Sequence, residues 1–157
     1  MPLVDSARAQ LGAPGSVSME REVIRAPEIP VSPAFSHGVR IGNLVFLSGM
    51  VAFDPLTKKV DATDIESQTD QAIRNCETVL RYANAQLADV VQVTVLLRNP
   101  ADFDGMNRAY LRYFPNSPPA RAVAKLGVEL PNVLVSIVMT AGVPVSEADA
   151  PASPRSV

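Results

Sequence analysis

The sequence predicts an α+β fold: a mixed sheet in the order β-β-β-α-β-α-β-β, with two helices covering one face. Three observations carry this reading. Short strand-like segments crowd the first third of the chain between prolines and glycines. A sustained helical period opens only after residue 64. A nearly unbroken apolar run over residues 133–141 comes last.

The first strand falls within residues 20–24 and is ended by Pro27, Pro30 and Pro33, which lack a backbone donor. Residues 39–41 and 44–48 flank Gly42-Asn43, a pair suited to a two-residue hairpin. Asp54-Pro55-Leu56-Thr57 reads as a further turn. A helix then starts near Asp64 or Ser67. Its apolar positions, Ala72, Ile73, Cys76, Val79, Leu80, Ala83 and Leu87, recur with a period near 3.6. Cys76 lies on this inner stripe and reads as a small core residue.

Val90–Leu97 is rich in β-branched residues and reads as a strand. Asn99-Pro100-Ala101-Asp102 opens a second helix, with Asn as the cap and Pro at the first helical position. That helix carries Phe103, Met106, Tyr110 and Phe114 on one face, a stripe read as core packing. Pro115, Pro118 and Pro119 stop it. The last strands fall at residues 121–126 and 133–141, the second apolar enough to be buried on both faces. Alternation along residues 90–97 sets Val91, Val93, Val95 and Leu97 against Val90, Gln92, Thr94 and Leu96. Both sets are substantially apolar. Two helices cover one face, so a partner subunit is expected on the other.

The 157 residues fit one domain. Its body is expected over residues 19–145, with 1–18 and 146–157 as flexible tails built from Pro, Ser, Ala and similar residues. A hydrophobic share of 47% marks a globular chain. Fourteen Lys and Arg against sixteen Asp and Glu give a net charge of −2. That balance offers no footprint for nucleic acid or for an anionic membrane. No apolar run reaches transmembrane length, and no secretory signal is expected. A cytoplasmic location follows as the expectation. Cys76 is the only cysteine and His37 the only histidine, which excludes an internal disulfide and a typical zinc or iron–sulfur site. No metal and no cofactor are expected.

Arg121 is the residue that points to chemistry. It stands in Pro118-Pro119-Ala120-Arg121-Ala122-Val123-Ala124, where a proline-rich loop becomes an apolar strand. A guanidinium at the mouth of a buried strand needs an anionic partner. Its planar fork of donors suits a carboxylate held by two parallel bonds. The anion is either the carboxylate of a small substrate or one of the chain's own acids.

Several segments occur in a telling order. Gly42-Asn43-Leu44-Val45-Phe46-Leu47-Ser48-Gly49 comes first, then Asp64-Ile65-Glu66-Ser67-Gln68-Thr69, then Asp89-Val90-Val91-Gln92-Val93-Thr94-Val95-Leu96-Leu97. Asp102-Phe103-Asp104-Gly105-Met106-Asn107, Tyr110 and Tyr113-Phe114-Pro115 follow, and Pro119-Ala120-Arg121 closes the set. In this order and spacing, over residues 26–143, the chain resembles the RidA/YjgF family. The resemblance implies a chorismate-mutase-like α+β fold and a homotrimer with active sites in the clefts between subunits. It also implies hydrolysis of reactive imines and enamines, such as 2-aminoacrylate, to 2-keto acids and ammonia. By the same resemblance Arg121 holds the substrate carboxylate, Asn107 stands beside the site and Gly49 supplies a backbone donor.

The chain departs from that pattern in places. The family's "EIE" segment, whose first Glu activates or orients water, is Ser136-Ile137-Val138 here. Phe35 replaces an early Tyr, Met50 a Gln and Val123 a Cys. The implied cleft is drier than usual. His37 is a candidate substitute acid or base, set against the reading of a solvent-facing loop histidine. Ser48 and Ser136 can hold a water or a carbonyl, but no base partner is visible for either. Three functions compete: an imine deaminase, a tailoring enzyme doing non-hydrolytic chemistry on a carboxylate-bearing intermediate, and a non-catalytic trimer that binds a small acid.

Overall fold

The computed structural model describes residues 19–144; both expected tails lie outside the described residues. Three strands come first: β1 (Arg21–Ile24), β2 (Gly38–Ile41) and β3 (Leu44–Leu47). Helix α1 (Ile65–Tyr82), strand β4 (Val90–Leu97) and helix α2 (Phe103–Tyr113) follow, and β5 (Ala120–Lys125) and β6 (Val135–Gly142) complete the sheet. The strands lie in the order β1-β2-β3-β6-β4-β5. All neighbours are antiparallel except β4 and β5. This is the α+β fold that the sequence predicts, with six strands and two helices in the expected order.

Local chemistry fixes the elements. Gly42 turns the β2–β3 hairpin with φ of 57°, a left-handed value that costs glycine nothing. Asp54 Oδ1 accepts from the N–H groups of Leu56 and Thr57 at 2.8 and 3.0 Å, which folds the expected turn. Asp64 Oδ1 accepts from Ser67 N–H at 2.9 Å and starts α1. Asn99 Oδ1 accepts from Ala101 N–H at 3.0 Å. The segment it caps is a single 3₁₀ turn, Pro100–Asp102, which leads into α2.

Both helices lie over one face of the sheet. α1 packs on β6, β3 and α2, and its stripe of Ala72, Ile73, Cys76, Val79 and Leu80 is fully enclosed. Val135, Ile137, Met139 and Ala141 of β6 meet it from the sheet. Their alternates Val138, Thr140 and Gly142 remain half-buried on the other side. Thus β6 is fully enclosed on its helix face, whereas on the other face only Ser136 is buried, less than its composition suggests. The alternation expected in β4 also needs correction. A bulge between Val90 and Gln92 turns Val90 into the core and leaves Val91 52% exposed, because an extra residue shifts the side-chain phase.

Two buried amides on α1 tie loops to the core. Gln68 donates to the carbonyls of Ala62 and Asn132 and accepts from Leu134 N–H. Asn75 donates to the carbonyls of Val51 and Phe53. Each satisfies backbone groups that water cannot reach. Among the described residues no helix is long and apolar enough to cross a membrane.

Candidate functional site

Arg121 lies on β5, an edge strand, and is exposed; a position at a buried strand is not what the structure shows. Its pairing with Val93 turns it to the helix side, where α2 receives it. One terminal nitrogen donates to Asn107 Oδ1 at 2.7 Å. Its Cζ lies 4.7 Å from the Tyr110 ring centre and 6.0 Å from that of Phe103, and Met106 Sδ is 3.9 Å from the same nitrogen. Hence the aromatic stripe of α2 does more than pack: it is the platform for the guanidinium, by cation–π contact. Among the described residues Arg121 makes no ion pair with an acid. The internal ion pair is therefore not formed with any acid of the described residues, and Asn107 Oδ1 and Met106 Sδ are the partners the guanidinium has there. The Tyr110 hydroxyl beside it is buried without a hydrogen-bond partner. Burial pushes its pKa up, with the nearby Arg121 charge opposing weakly. It stays protonated at neutral pH and cannot serve as a base there.

Val123 follows Arg121 on the same side of β5 and packs against the main core. Arg121, Asn107 and Val123 thus form one group.

A second group gathers at the far side of the sheet. Gly49 lies so close to Ser136 that a Cβ on Gly49 would stand 2.7 Å from Ser136 Oγ. Ser48 N–H donates to His37 O and Met50 N–H to Ile137 O. No such bond engages Gly49 N–H among the described residues, which leaves that donor available. The Ser48 hydroxyl donates to Ser36 O at 2.5 Å, and Phe35 stands half-exposed on the same loop.

Two expected members of the site serve the fold instead. His37 is only 3% exposed. Its Nδ1 accepts from Ala26 N–H at 3.0 Å, so Nε2 carries the proton and donates to Pro30 O at 2.9 Å. It is a strut in the β1–β2 connection, neither solvent-facing nor free for proton transfer. Met50, also 3% exposed, belongs to the main core.

The two groups do not meet within one chain. Arg121 pairs with Val93 on β4, and Ser136 pairs with Leu96. Side chains alternate along a strand, so these partners point to opposite faces. Arg121 is on the helix face and Ser136 on the face the helices leave bare. A hollow of about 590 Å³ beside the start of α1 belongs to neither group. Asp54, Asp61, Asp64, Glu66 and Asp70 line it, a setting that repels an acid. Among the described residues no cluster of three His, Cys, Asp or Glu side chains could hold a metal ion.

A family model described as Endoribonuclease L-PSP matches residues 26–143, a span that includes both groups. The chain belongs to the RidA/YjgF family. A RutC family protein of Pyrococcus abyssi is 38% identical over 122 residues, covering 76% of this chain and 94% of that protein. Reactive Intermediate Deaminase A, chloroplastic, of Arabidopsis thaliana is 32% identical over 76% of this chain and 65% of its own length. The crystal structure of RidA from the Antarctic bacterium Psychrobacter sp. superposes with a TM-score of 0.72 at 26% identity, covering 78% of this chain and 99% of that one. RidA/YjgF relatives thus include reactive intermediate deaminases.

Proposed function

We propose that this chain is a deaminase that binds a small carboxylate-bearing imine or enamine and hydrolyses it to a 2-keto acid and ammonia. The observation that carries the reading is the state of Arg121: held by Asn107 and an aromatic platform, with no acid paired to it among the described residues. A planar cation so prepared suits a carboxylate. The deaminase relative supports the reaction type. Water adds to C2 of the imine while the nitrogen gains a proton. The resulting carbinolamine loses ammonia as its C2–N bond breaks, and a keto group remains. Imine hydrolysis has a low barrier, so fixing the carboxylate and the attacked carbon supplies much of what is needed. Ser136 and the Gly49 N–H are suited to holding the water or the polarised nitrogen. They lie on the other face, so the reading includes a homotrimer in which neighbouring subunits bring the two groups together. A chain of net charge −2, several of whose exposed arginines are paired with acids, offers little to the phosphates of RNA.

A second reading, non-hydrolytic chemistry on a carboxylate-bearing intermediate, has one observation in its favour: no acid stands at position 136. Ammonia release separates the two. Freshly generated 2-aminoacrylate should yield pyruvate and ammonia faster with the protein than without it. Arg121→Ala should weaken substrate binding by about 2–5 kcal/mol, and Arg121→Lys should fail to restore it, because an ammonium cannot reproduce the fork. Unaltered turnover in Arg121→Ala would overturn the assignment.

A further inference from the structure

We propose that the site selects a 2-imino acid, or its enamine tautomer, with a medium-sized apolar side chain, and that this side chain lodges in the hollow between β5 and the start of α2. This rests on the deaminase reading above and adds a substrate class to it. Along β5 the helix-facing positions are Arg121, Val123 and Lys125. α2 passes beside them, with Asn107 and Tyr110 at Arg121. Beyond lies a hollow of about 310 Å³ lined by Leu97, Pro100, Phe103, Val123, Ala124 and Lys125. Phe103 belongs to both places: its ring faces Arg121 and also forms a wall of the hollow. Val123 is two residues from Arg121, about 7 Å along the strand. A carboxylate seated on the guanidinium therefore places its C2 substituent at the mouth of this hollow.

The walls choose the substituent. Apart from the Lys125 head, the lining side chains are hydrocarbon. A methyl group leaves most of that surface wet. A branched four-carbon group displaces the water, at about fourfold in affinity per fully buried methylene. A five-carbon dicarboxylate fits poorly, because its second carboxylate would stop beside Val123 and Phe103, where burial of a charge is disfavoured. Lys125 does not rescue it. Lys125 is exposed and stands at the far end of the hollow, four residues or about 13 Å along the strand from Arg121, so a short diacid meets the apolar wall first.

The test uses the full-length protein and imines generated in situ from L-alanine, L-leucine and L-glutamate by amino-acid oxidases, with catalase present. The kcat/KM for the leucine-derived imine should exceed that for the alanine-derived one by about tenfold or more, with the glutamate-derived imine lowest. Val123→Thr keeps the shape and adds a hydroxyl. It should cut the leucine preference at least about threefold without changing the thermal midpoint by more than a few degrees. Calorimetric binding of 4-methyl-2-oxopentanoate and pyruvate provides a readout independent of turnover. Equal turnover of all three imines would overturn the pocket and leave the deaminase reading standing. Absence of turnover with the keto-acid preference intact would overturn the deaminase reading and uphold the pocket. Neither turnover nor preference would overturn both.

Discussion

A serine hydroxyl can hold a water, but at neutral pH it cannot take that water's proton as a carboxylate can. Position 136 is therefore expected to limit hydrolysis. Ser136→Glu should accelerate imine hydrolysis by about tenfold or more, short of the roughly 10²–10⁴ that a well-placed base supplies, because the apolar surroundings raise a carboxyl pKa. Stopped-flow release of pyruvate checks this; a wild-type rate unaffected by the change would remove Ser136 from the chemistry. The sequence made Arg121 and Asn107 legible, since their spacing within ordered segments carries through to a 2.7 Å hydrogen bond. The role of Phe103 and Tyr110 was not legible. A helix stripe looks the same whether it meets the core or a guanidinium, and only the β5–α2 crossing decides. His37 misled because its fate depends on two backbone groups, Ala26 N–H and Pro30 O, that no side-chain pattern announces.

Among the elements, α1 is the hub, since it contacts β3, β6 and α2 and its amides hold two loops. Its start depends on a carboxylate. The Asp64 pKa is lowered, first by the Ser67 backbone N–H. Asp54 is lowered first by that of Thr57, and Glu66 first by its hydrogen bond with Arg108. A carboxyl whose folded pKa lies below its unfolded value adds stability above that unfolded value and loses it as pH falls. The thermal midpoint should therefore drop as the pH is taken from about 5 to about 3. Asp64→Asn keeps the cap acceptor and removes the titration, so its midpoint should fall less steeply with acid. A slope equal to wild type in a calorimetric pH series would exclude Asp64 as a contributor. These caps were readable because capping is local. The β4 bulge was not, since it arises from the register between β4 and β6, which are distant in sequence.

For the whole molecule, the bare sheet face is the dominant fact. Phe46 is 43% exposed on it, and Leu44 and Val91 are exposed beside it. Contiguous apolar surface of this kind marks an interface. Sedimentation at micromolar concentration should give the mass of three chains. A lone 16.7 kDa chain would overturn both the assembly and the shared site. Beneath this sheet lies Cys76, enclosed by α1 and β6, its thiol pushed upward in pKa by burial. The seal turns that sulfur into a clock. A colorimetric thiol reagent has no target in the native fold and gains one only when the helices lift from the sheet. The slow growth of colour in a native solution therefore counts how often the core opens, without any label added to the chain.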